Sequence, residues 1–160
     1  DGAWRSAQVP GLPARPASAL VWSGEQLWLA WEDGSLTRAS RAADGALVAP
    51  VQVGPGEGLC GGRAVALAVE PSGTVWSVHP GFGVGRVAPD GRASCLGREH
   101  GLGGLDVESV AVDVAGRVWV GALADRGLHL VRGDRLHPLR TPQGLYCDSF
   151  HEIVPTPDDG

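Results

Sequence analysis

The stretch VDVAGRVWVG, from Val112 to Gly121, has a close counterpart 43 residues earlier, where VEPSGTVWSV runs from Val69 to Val78. In both stretches a carboxylate precedes a short turn at a glycine, and a tryptophan follows that glycine three positions later. Repetition at a period of about 40 residues marks an architecture of similar units, each of which buries its apolar faces against its neighbours. The stretch therefore indicates a repeat protein.

Other markers recur with the same period. A Gly-Leu pair recurs at steps of 47, 43 and 43 residues, and a turn that holds glycine beside aspartate comes late in each period. The Gly-Leu pairs begin at Gly11, Gly58, Gly101 and Gly144, and the hydrophobic-Trp pairs end at Trp28, Trp76 and Trp119.

Each period contains four short stretches rich in Val, Leu and Trp and bounded by Gly, Asp or Pro. In the third period they are Val107–Val114, Val118–Leu123, Gly127–Arg132 and Arg135–Arg140. Such stretches favour β-strands joined by tight turns over helices. Four antiparallel strands in about 40 to 45 residues form one blade of a β-propeller. We therefore predict an all-β fold, a partial propeller with about three whole four-stranded blades.

The predicted organisation is a single propeller segment over residues 1–160 with no second domain. The pieces are the last strand of a preceding blade at 1–9, whole blades at 15–53, 59–98 and 103–141, and the first strand of a fourth blade at 148–160. Propellers close with about four to eight blades. We therefore expect further blades or a second chain to complete the ring. Since the chain has no methionine, we also expect it to be a processed or excised piece.

The three repeated tryptophans, Trp28, Trp76 and Trp119, fall on the second strand of each predicted blade. A large flat ring can fill the gap between two twisted sheets, and its burial is strongly favourable. We interpret them as structural residues rather than ligand-stacking residues. Glu70 and Asp113 precede tight turns, where a carboxylate can accept hydrogen bonds from turn amides, and we assign them a structural role too.

Composition excludes several classes of function. The formal net charge is -5, which argues against the basic surface that nucleic acids or an anionic membrane face require. No apolar run approaches the roughly 20 residues of a membrane-spanning helix. We therefore expect no nucleic-acid partner and no membrane contact by this segment itself.

The metal-binding residue types show no ligand pattern. Cys60, Cys95 and Cys147 fit no zinc or iron–sulfur spacing, and we favour buried or half-buried thiols, with a single disulfide left open. No pair among the five histidines has ligand spacing, and no nucleophile triad or phosphate-binding loop is present. We expect no metal, no cofactor and no catalytic residue.

Connectivity places the Gly-Leu loops and the loops between second and third strands on one rim. Binding residues of a rigid scaffold belong on such loops. Aromatic, arginine and carboxylate side chains there could hold a sugar or an acidic oligosaccharide by stacking and bidentate hydrogen bonds. The alternative is an ordinary solvated loop surface. The candidate ligand-binding residues are Phe82, Arg126, Tyr146, His79 and Trp31.

The segments 101–139 and 141–160 resemble the two-component regulator propeller repeat. The matching residues are Asp113, Gly116, Val118, Trp119, Gly121, Gly127 and Leu128 in the third blade, Glu70, Gly73, Val75 and Trp76 in the second, and Gly24, Leu27 and Trp28 in the first. The resemblance implies a periplasmic or extracellular sensor region of a membrane-anchored signalling protein. It also implies a non-enzymatic, ligand-binding role, with oligosaccharides among the ligands and a histidine kinase elsewhere in the parent protein.

Two alternatives remain open from the sequence. The first is a protein-interaction propeller without a small ligand. The second rests on the second blade, where AVEPSGTVW followed by GVGRVAPDG resembles the streptogramin lyase family. That resemblance implies a metal-assisted, lyase-like or lactonase-like enzyme, for which two histidines must meet near the central axis. His151, predicted on an inner strand, could supply one of them.

Overall fold

Three four-stranded antiparallel sheets make up a computed structural model that describes residues 10–123, 127–141, 144–145 and 149–156. The first sheet contains β1 (Ala19–Ser23), β2 (Gln26–Ala30), β3 (Leu36–Arg41) and β4 (Leu47–Val53). The second contains β5 (Ala66–Val69), β6 (Val75–His79), β7 (Gly83–Val87) and β8 (Ala93–Leu96). The third contains β9 (Val107–Val112), β10 (Val118–Ala122), β11 (Leu128–Arg132) and β12 (Arg135–Leu139).

The sheets are successive propeller blades. Within each sheet, neighbouring strands follow one another in the sequence, as a chain of hairpins produces. The first strands of the sheets are neighbours, since β1 contacts β5 and β5 contacts β9. Blades that share an inner row of first strands form part of a β-propeller, and the predicted fold class is confirmed. The described residues contain no α-helix, only 3₁₀ turns at Pro55–Glu57 and Arg98–His100.

Each interface between blades has its own apolar core. Trp28 and Leu36 of blade 1 pack with Val75 and Val87 of blade 2. Trp76 and its neighbours on blade 2 pack with a second set on blade 3, which includes Val107, Val118 and Val120. A single blade could not cover both of its faces, so these two cores hold the segment together. Trp119 lies on the face of blade 3 that points away from blade 2, and it is half-buried.

A carboxylate six residues before the tryptophan orients the indole in two of the blades. Glu70 Oε1 accepts the Nε1–H of Trp76 at 2.5 Å, and Asp113 Oδ2 accepts that of Trp119 at 2.9 Å. Asp113 Oδ1 also accepts the backbone N–H groups of Ala115 and Arg117, which turns the chain. For this reason β9 ends at Val112, two residues before the predicted Val114.

Blade 1 lacks this arrangement. In the turn between its first two strands, four residues separate Trp22 from its strand partner Leu27. In the same turn of blade 2, five residues separate Val69 from its partner Val75. Ser23 therefore stands where the other blades carry the carboxylate, and the turn is one residue too short. As a result the Nε1–H of Trp28 is buried without a hydrogen-bond partner among the described residues, which costs free energy.

Asp113 is also the basis of a pH-dependent stability. Partial desolvation raises the pKa of its carboxyl, but hydrogen bonds from Trp119 and Arg117 outweigh it and lower the pKa to about 2. A carboxyl with a lowered pKa in the folded state stabilises the fold above its unfolded pKa of about 4, and this contribution is lost as the pH falls toward 2.

We expect Asp113→Ala to lower the free energy of unfolding by about 1 to 3 kcal/mol at pH 7, because four N–H donors lose their acceptor. Urea unfolding at several pH values measures it, and the difference from wild type should shrink between about pH 4 and pH 2. Asp90→Ala is the matched control, since Asp90 caps a similar turn through Arg92 without an indole. Equal losses for the two variants would contradict the role of the Trp119 hydrogen bond.

The predicted first strand of a fourth blade, at 148–160, is not formed by the part of it that the structure describes. Residues 149–156 contain no strand. Instead, the backbone N–H of Phe150 donates to Ala122 O at 3.0 Å, and Phe150 and Ile153 cover Gly121 on the outer face of blade 3. A strand needs a partner strand for its backbone, and none of the strands in the described residues forms a ladder with this segment. The predicted strand at 1–9 lies outside the described residues.

Candidate functional site

The loops between blades and the turns between second and third strands share one rim. This loop rim comprises residues 31–35, 54–65, 80–82 and 97–106. A Cβ on Gly34 would overlap the backbone carbonyls of Cys60 and Gly62, so the two loops are in direct contact there. On the next blade, the N–H of Gly81 donates to Leu105 O at 2.8 Å. The loop rim is therefore a continuous, hydrogen-bonded surface.

Phe82 lies flat on this rim. Its ring covers the backbone of Gly61 and Gly62, since a Cβ on Gly61 would lie 3.2 Å from the ring and one on Gly62 would overlap it. The phenylalanine is nevertheless 52% exposed. The ring thus packs on the glycine backbone while half of the side chain's surface faces solvent, and a side chain at position 62 would not fit against it. We call Phe82 with Gly61 and Gly62 the aromatic platform.

His79 supports the aromatic platform from inside. Its Nδ1 lies 3.0 Å from Gly62 O and 3.2 Å from Gly61 O, and its Nε2 lies 2.8 Å from Ser77 Oγ. Two carbonyls can only accept, so Nδ1 carries the proton and Nε2 accepts the Ser77 hydroxyl. Burial lowers the pKa of His79, which favours this neutral form. The interpretation of His79 as a ligand-binding residue is therefore corrected, because the side chain is fully buried.

A disulfide between Cys60 and Cys95 fixes the same loop to β8. The preference for free thiols is thus wrong for these two residues, because the blade geometry brings a loop cysteine against a strand cysteine of the following blade. Cys60 immediately precedes the aromatic platform, so one end of the platform is covalently anchored. Cys147 lies outside the described residues.

Trp31 is also buried, with an exposure of 2%, and its Nε1 donates to Thr37 Oγ1 at 2.8 Å. The guanidinium of Arg15 covers the ring at 5.2 Å from the centroid and pairs with Asp33 at 2.8 Å. Hydrogen bonding from Ser35, assisted by Arg15, lowers the pKa of Asp33 to about 2. The prediction that Trp31 contacts ligand is corrected, since Arg15 and the core enclose it. No pattern in the sequence indicated the role of Arg15.

Two further candidates, Arg126 and Tyr146, lie outside the described residues. On the described loop rim, Glu32 and Arg63 are exposed charged side chains, whereas Glu57 is engaged in accepting the backbone N–H of Gly54 at 2.8 Å. Phe82 is therefore the one candidate of the five that the described structure presents to solvent.

The histidines do not converge in the described structure. His151 is exposed and lies on no strand, which corrects its predicted place on an inner strand. His129 is buried on β11, where desolvation and the nearby Arg140 lower its pKa to about 4. Among the described residues, no group of three or more His, Cys, Asp or Glu is placed to hold a metal ion. Within the same residues, no helix has the length and apolarity to cross a membrane.

The chain has structural counterparts among solved proteins. No family model and no curated sequence matches the chain. One solved structure is described as the extracellular domain of a hybrid two-component system from B. thetaiotaomicron, with 15% identity and a TM-score of 0.42. The match covers 94% of this chain and 26% of that protein, so the chain spans about a quarter of its length.

Proposed function

We propose that this chain is a ligand-binding segment of an extracytoplasmic sensor propeller of the two-component type, and that it binds an oligosaccharide on the loop rim without catalysis. The observation that carries the proposal is the aromatic platform. An exposed aromatic side chain on a loop of a rigid scaffold offers a large apolar contact area to a ligand. Here the ring packs on the backbone of Gly61 and Gly62, and the side chain is still half exposed.

The chemistry of the platform suits a sugar. The open face of an aromatic ring packs well against the apolar C–H face of a pyranose. Glu32 and Arg63 are exposed on the same rim and can bond hydroxyl or carboxylate groups of such a ligand. Because Gly61 and Gly62 hold the ring from below, little conformational entropy is lost when a ligand binds.

The Cys60–Cys95 disulfide supports the extracytoplasmic part of the proposal. Structural disulfides persist in oxidising compartments and are rare in the reducing cytosol. The sensor role itself rests on the sequence resemblance to the two-component regulator propeller repeat. A histidine kinase elsewhere in the parent protein is part of this proposal.

The test is calorimetric titration of the chain with a panel of neutral and acidic oligosaccharides. We expect Phe82→Ala to weaken binding about tenfold or more, because the stacking surface is lost. Trp22→Ala is the matched control, since Trp22 is also an exposed aromatic, at 43%, but lies away from the loop rim. A ligand that binds wild type and Phe82→Ala equally, or no heat with any member of the panel, would refute the proposed site.

A second candidate function is a protein-interaction propeller. Leu20 is 62% exposed and Trp22 43% exposed, and both project from β1 on the face of blade 1 opposite Trp28. The proposed partners are further propeller blades or a second copy of the chain, whose blade would cover this face. A purely monomeric chain at high concentration would argue against self-association through it.

A further inference from the structure

The imidazole of His79 is fully buried beneath the loop rim, and both of its nitrogens form hydrogen bonds. Nδ1 donates to the carbonyls of Gly61 and Gly62, at 3.2 and 3.0 Å, and Nε2 accepts the Ser77 hydroxyl at 2.8 Å. Gly85 closes the ring in from β7, since even a Cβ there would lie only 3.1 Å from Nε2. The neutral ring therefore has its hydrogen-bonding capacity satisfied in place.

A second proton on this ring is costly. It converts Nε2 from an acceptor into a donor, so the Ser77 hydroxyl has to turn its own proton away from the ring. Ser77 is itself fully buried, and among the described residues its hydroxyl bonds to His79 alone. The imidazolium also places a positive charge where water does not reach it. Protonation therefore favours a form of the chain in which the His79 ring is solvated.

No carboxylate of the described residues compensates for this burial. The charged side chains on the elements packed around His79 are Arg15, Glu32 and Asp33 in blade 1, Glu57 and Arg63 in the loop before β5, and Arg86 on β7. None of these six contributes to the pKa of His79, which burial lowers although hydrogen bonds to the carbonyls of Gly62 and Gly61 oppose the shift. The cost of the second proton is therefore not offset in place.

The loop segment 61–63 is the part of the rim that can move away from the ring. On one side of it, Cys60 is bonded to Cys95. On the other side, Ala64 is fully buried in the core between blades 1 and 2. Only three residues lie between these fixed points, and all three are at least partly exposed. The segment can therefore open without the unfolding of a blade.

We propose that His79 is a positioning residue that makes ligand binding on the loop rim pH-dependent. In mild acid the protonated ring leaves its place, residues 61–63 lift, and the Phe82 ring loses the glycine backbone on which it packs. The blades stay folded, and binding returns when the pH rises again. The ligand is that of the proposed function, whereas the opening of the loop does not depend on it, so the two are tested separately.

The direction of the effect follows from proton linkage. In the opened form His79 is solvated and has the ordinary histidine pKa of about 6.5, whereas burial lowers its pKa in the closed form. The opened form therefore binds more protons below about pH 6.5, and it gains population as the pH falls. For one proton, the ratio of opened to closed chains rises by up to about tenfold per pH unit, until the pH reaches the pKa of the closed form.

Relaxation-dispersion NMR of the full chain measures this ratio without any ligand. The backbone signals of Gly61 and Gly62 report the opening, because both residues lie under the Phe82 ring. Between pH 6 and pH 5 the opened fraction is expected to rise about five- to tenfold. The indole N–H signal of Trp76, in the core between blades 2 and 3, should not change, because the blades remain folded.

Two variants assign the effect to His79. His79→Asn keeps an N–H donor for the carbonyls of the loop but does not titrate, so its opened fraction should stay constant over the same pH range. His100→Asn is the matched control, because His100 also bonds backbone in an inter-blade loop, where its Nδ1 accepts the N–H of Gly97 at 3.0 Å. It should open as wild type does. If His79→Asn does not fold, the His79 ring signals of wild type decide, since their titration must accompany the opening.

Calorimetry with a neutral oligosaccharide that binds at pH 7 supplies the second arm. The apparent Kd of wild type should rise in acid by the reciprocal of the closed fraction found by NMR, because only the closed form presents the aromatic platform. His79→Asn should have the same Kd at both pH values. A loop that opens in acid in a chain that binds no oligosaccharide would refute the proposed ligand and leave the opening established, so the two failures are distinguishable.

Three results would overturn the inference. The first is an opened fraction that does not change between pH 7 and pH 5. The second is the same pH dependence in His79→Asn as in wild type. The third is loss of the Trp76 core signal together with the signals of Gly61 and Gly62, which would mean that acid unfolds the blades rather than the loop.

Discussion

Removal of the Cys60–Cys95 disulfide by the double substitution Cys60→Ala and Cys95→Ala is expected to lower the free energy of unfolding by about 4 kcal/mol. The bridge closes a loop of 35 residues that contains most of blade 2. In the chain-entropy account, cross-linking such a loop restricts the unfolded chain far more than the folded one. Since a domain has about 5 to 15 kcal/mol of stability in total, this is a large share of it.

Urea unfolding at pH 7 with and without reductant measures the effect. Reduced wild type should unfold at the same urea concentration as the double variant, and reductant should not affect the double variant further. Cys147→Ala is the matched control, because it removes a cysteine but leaves the bridge. A double variant as stable as oxidised wild type would show that the bridge adds no stability to a loop that His79 and the backbone contacts around Gly62 already hold in place.

The same variant separates stability from preorganisation of the proposed site. Cys60 is adjacent to Gly61, on which the Phe82 ring lies. Without the bridge, the hydrogen bonds of His79 to Gly61 and Gly62 still hold the loop. Any ligand of the aromatic platform should therefore bind more weakly to the double variant at temperatures where that variant is still folded, because more of the ordering has to occur on binding.

The blades could be predicted from the sequence because the residues that repeat with the blade period have the same structural role in each blade. Gly116 has a positive φ of 75°, which the turn after Asp113 requires and which few other residues adopt. The tryptophans recur because each blade-to-blade core needs a large ring at the same depth. Local turn chemistry and the packing of neighbouring blades thus agree, and a sequence pattern can reveal the fold.

The candidate site was harder to predict because burial depends on which face of a strand a residue occupies. Trp31 follows Leu27 and Leu29 at alternate positions, and those side chains form one apolar cluster. His79 follows Val75 and Ser77 in the same way, on the face toward blade 1. The alternation of side chains along a strand could have placed both residues inside. Their positions at strand ends favoured the loop interpretation instead.

Contacts between different blades leave no comparable pattern in the sequence. The disulfide joins a loop to β8, and the Arg86–Asp134 ion pair joins blades 2 and 3, so each depends on how the blades lie against one another. Three cysteines without a pairing partner in the repeat do not define a bridge. Arg86 and Asp134 lie on different blades, and their approach follows only from the packing of Trp76 against blade 3.

That packing is the origin of the other large expected effect. Trp76→Ala should destabilise the chain by about 3 to 5 kcal/mol, the usual cost of removing a large aromatic side chain from a core. Trp76 is 2% exposed and packs in the core between blades 2 and 3. The variant also leaves Glu70 without its indole donor and Arg86 without its ring contact.

Two matched variants separate packing from hydrogen bonding and from position in the ring. Trp76→Phe retains most of the ring but removes the N–H donated to Glu70, and it should cost about 1 to 3 kcal/mol. Trp119→Ala removes the equivalent side chain of blade 3, which lies half-buried on a face that no described blade covers, and it should cost less than half as much as Trp76→Ala. Chemical unfolding of the three variants measures both differences. If Trp119→Ala were as costly as Trp76→Ala, the outer face of blade 3 would have to be covered as fully as the interface between blades 2 and 3. If a second copy of the chain provided that cover, dilution would remove it. Stability measured at decreasing protein concentration would then show Trp119→Ala becoming less costly than Trp76→Ala.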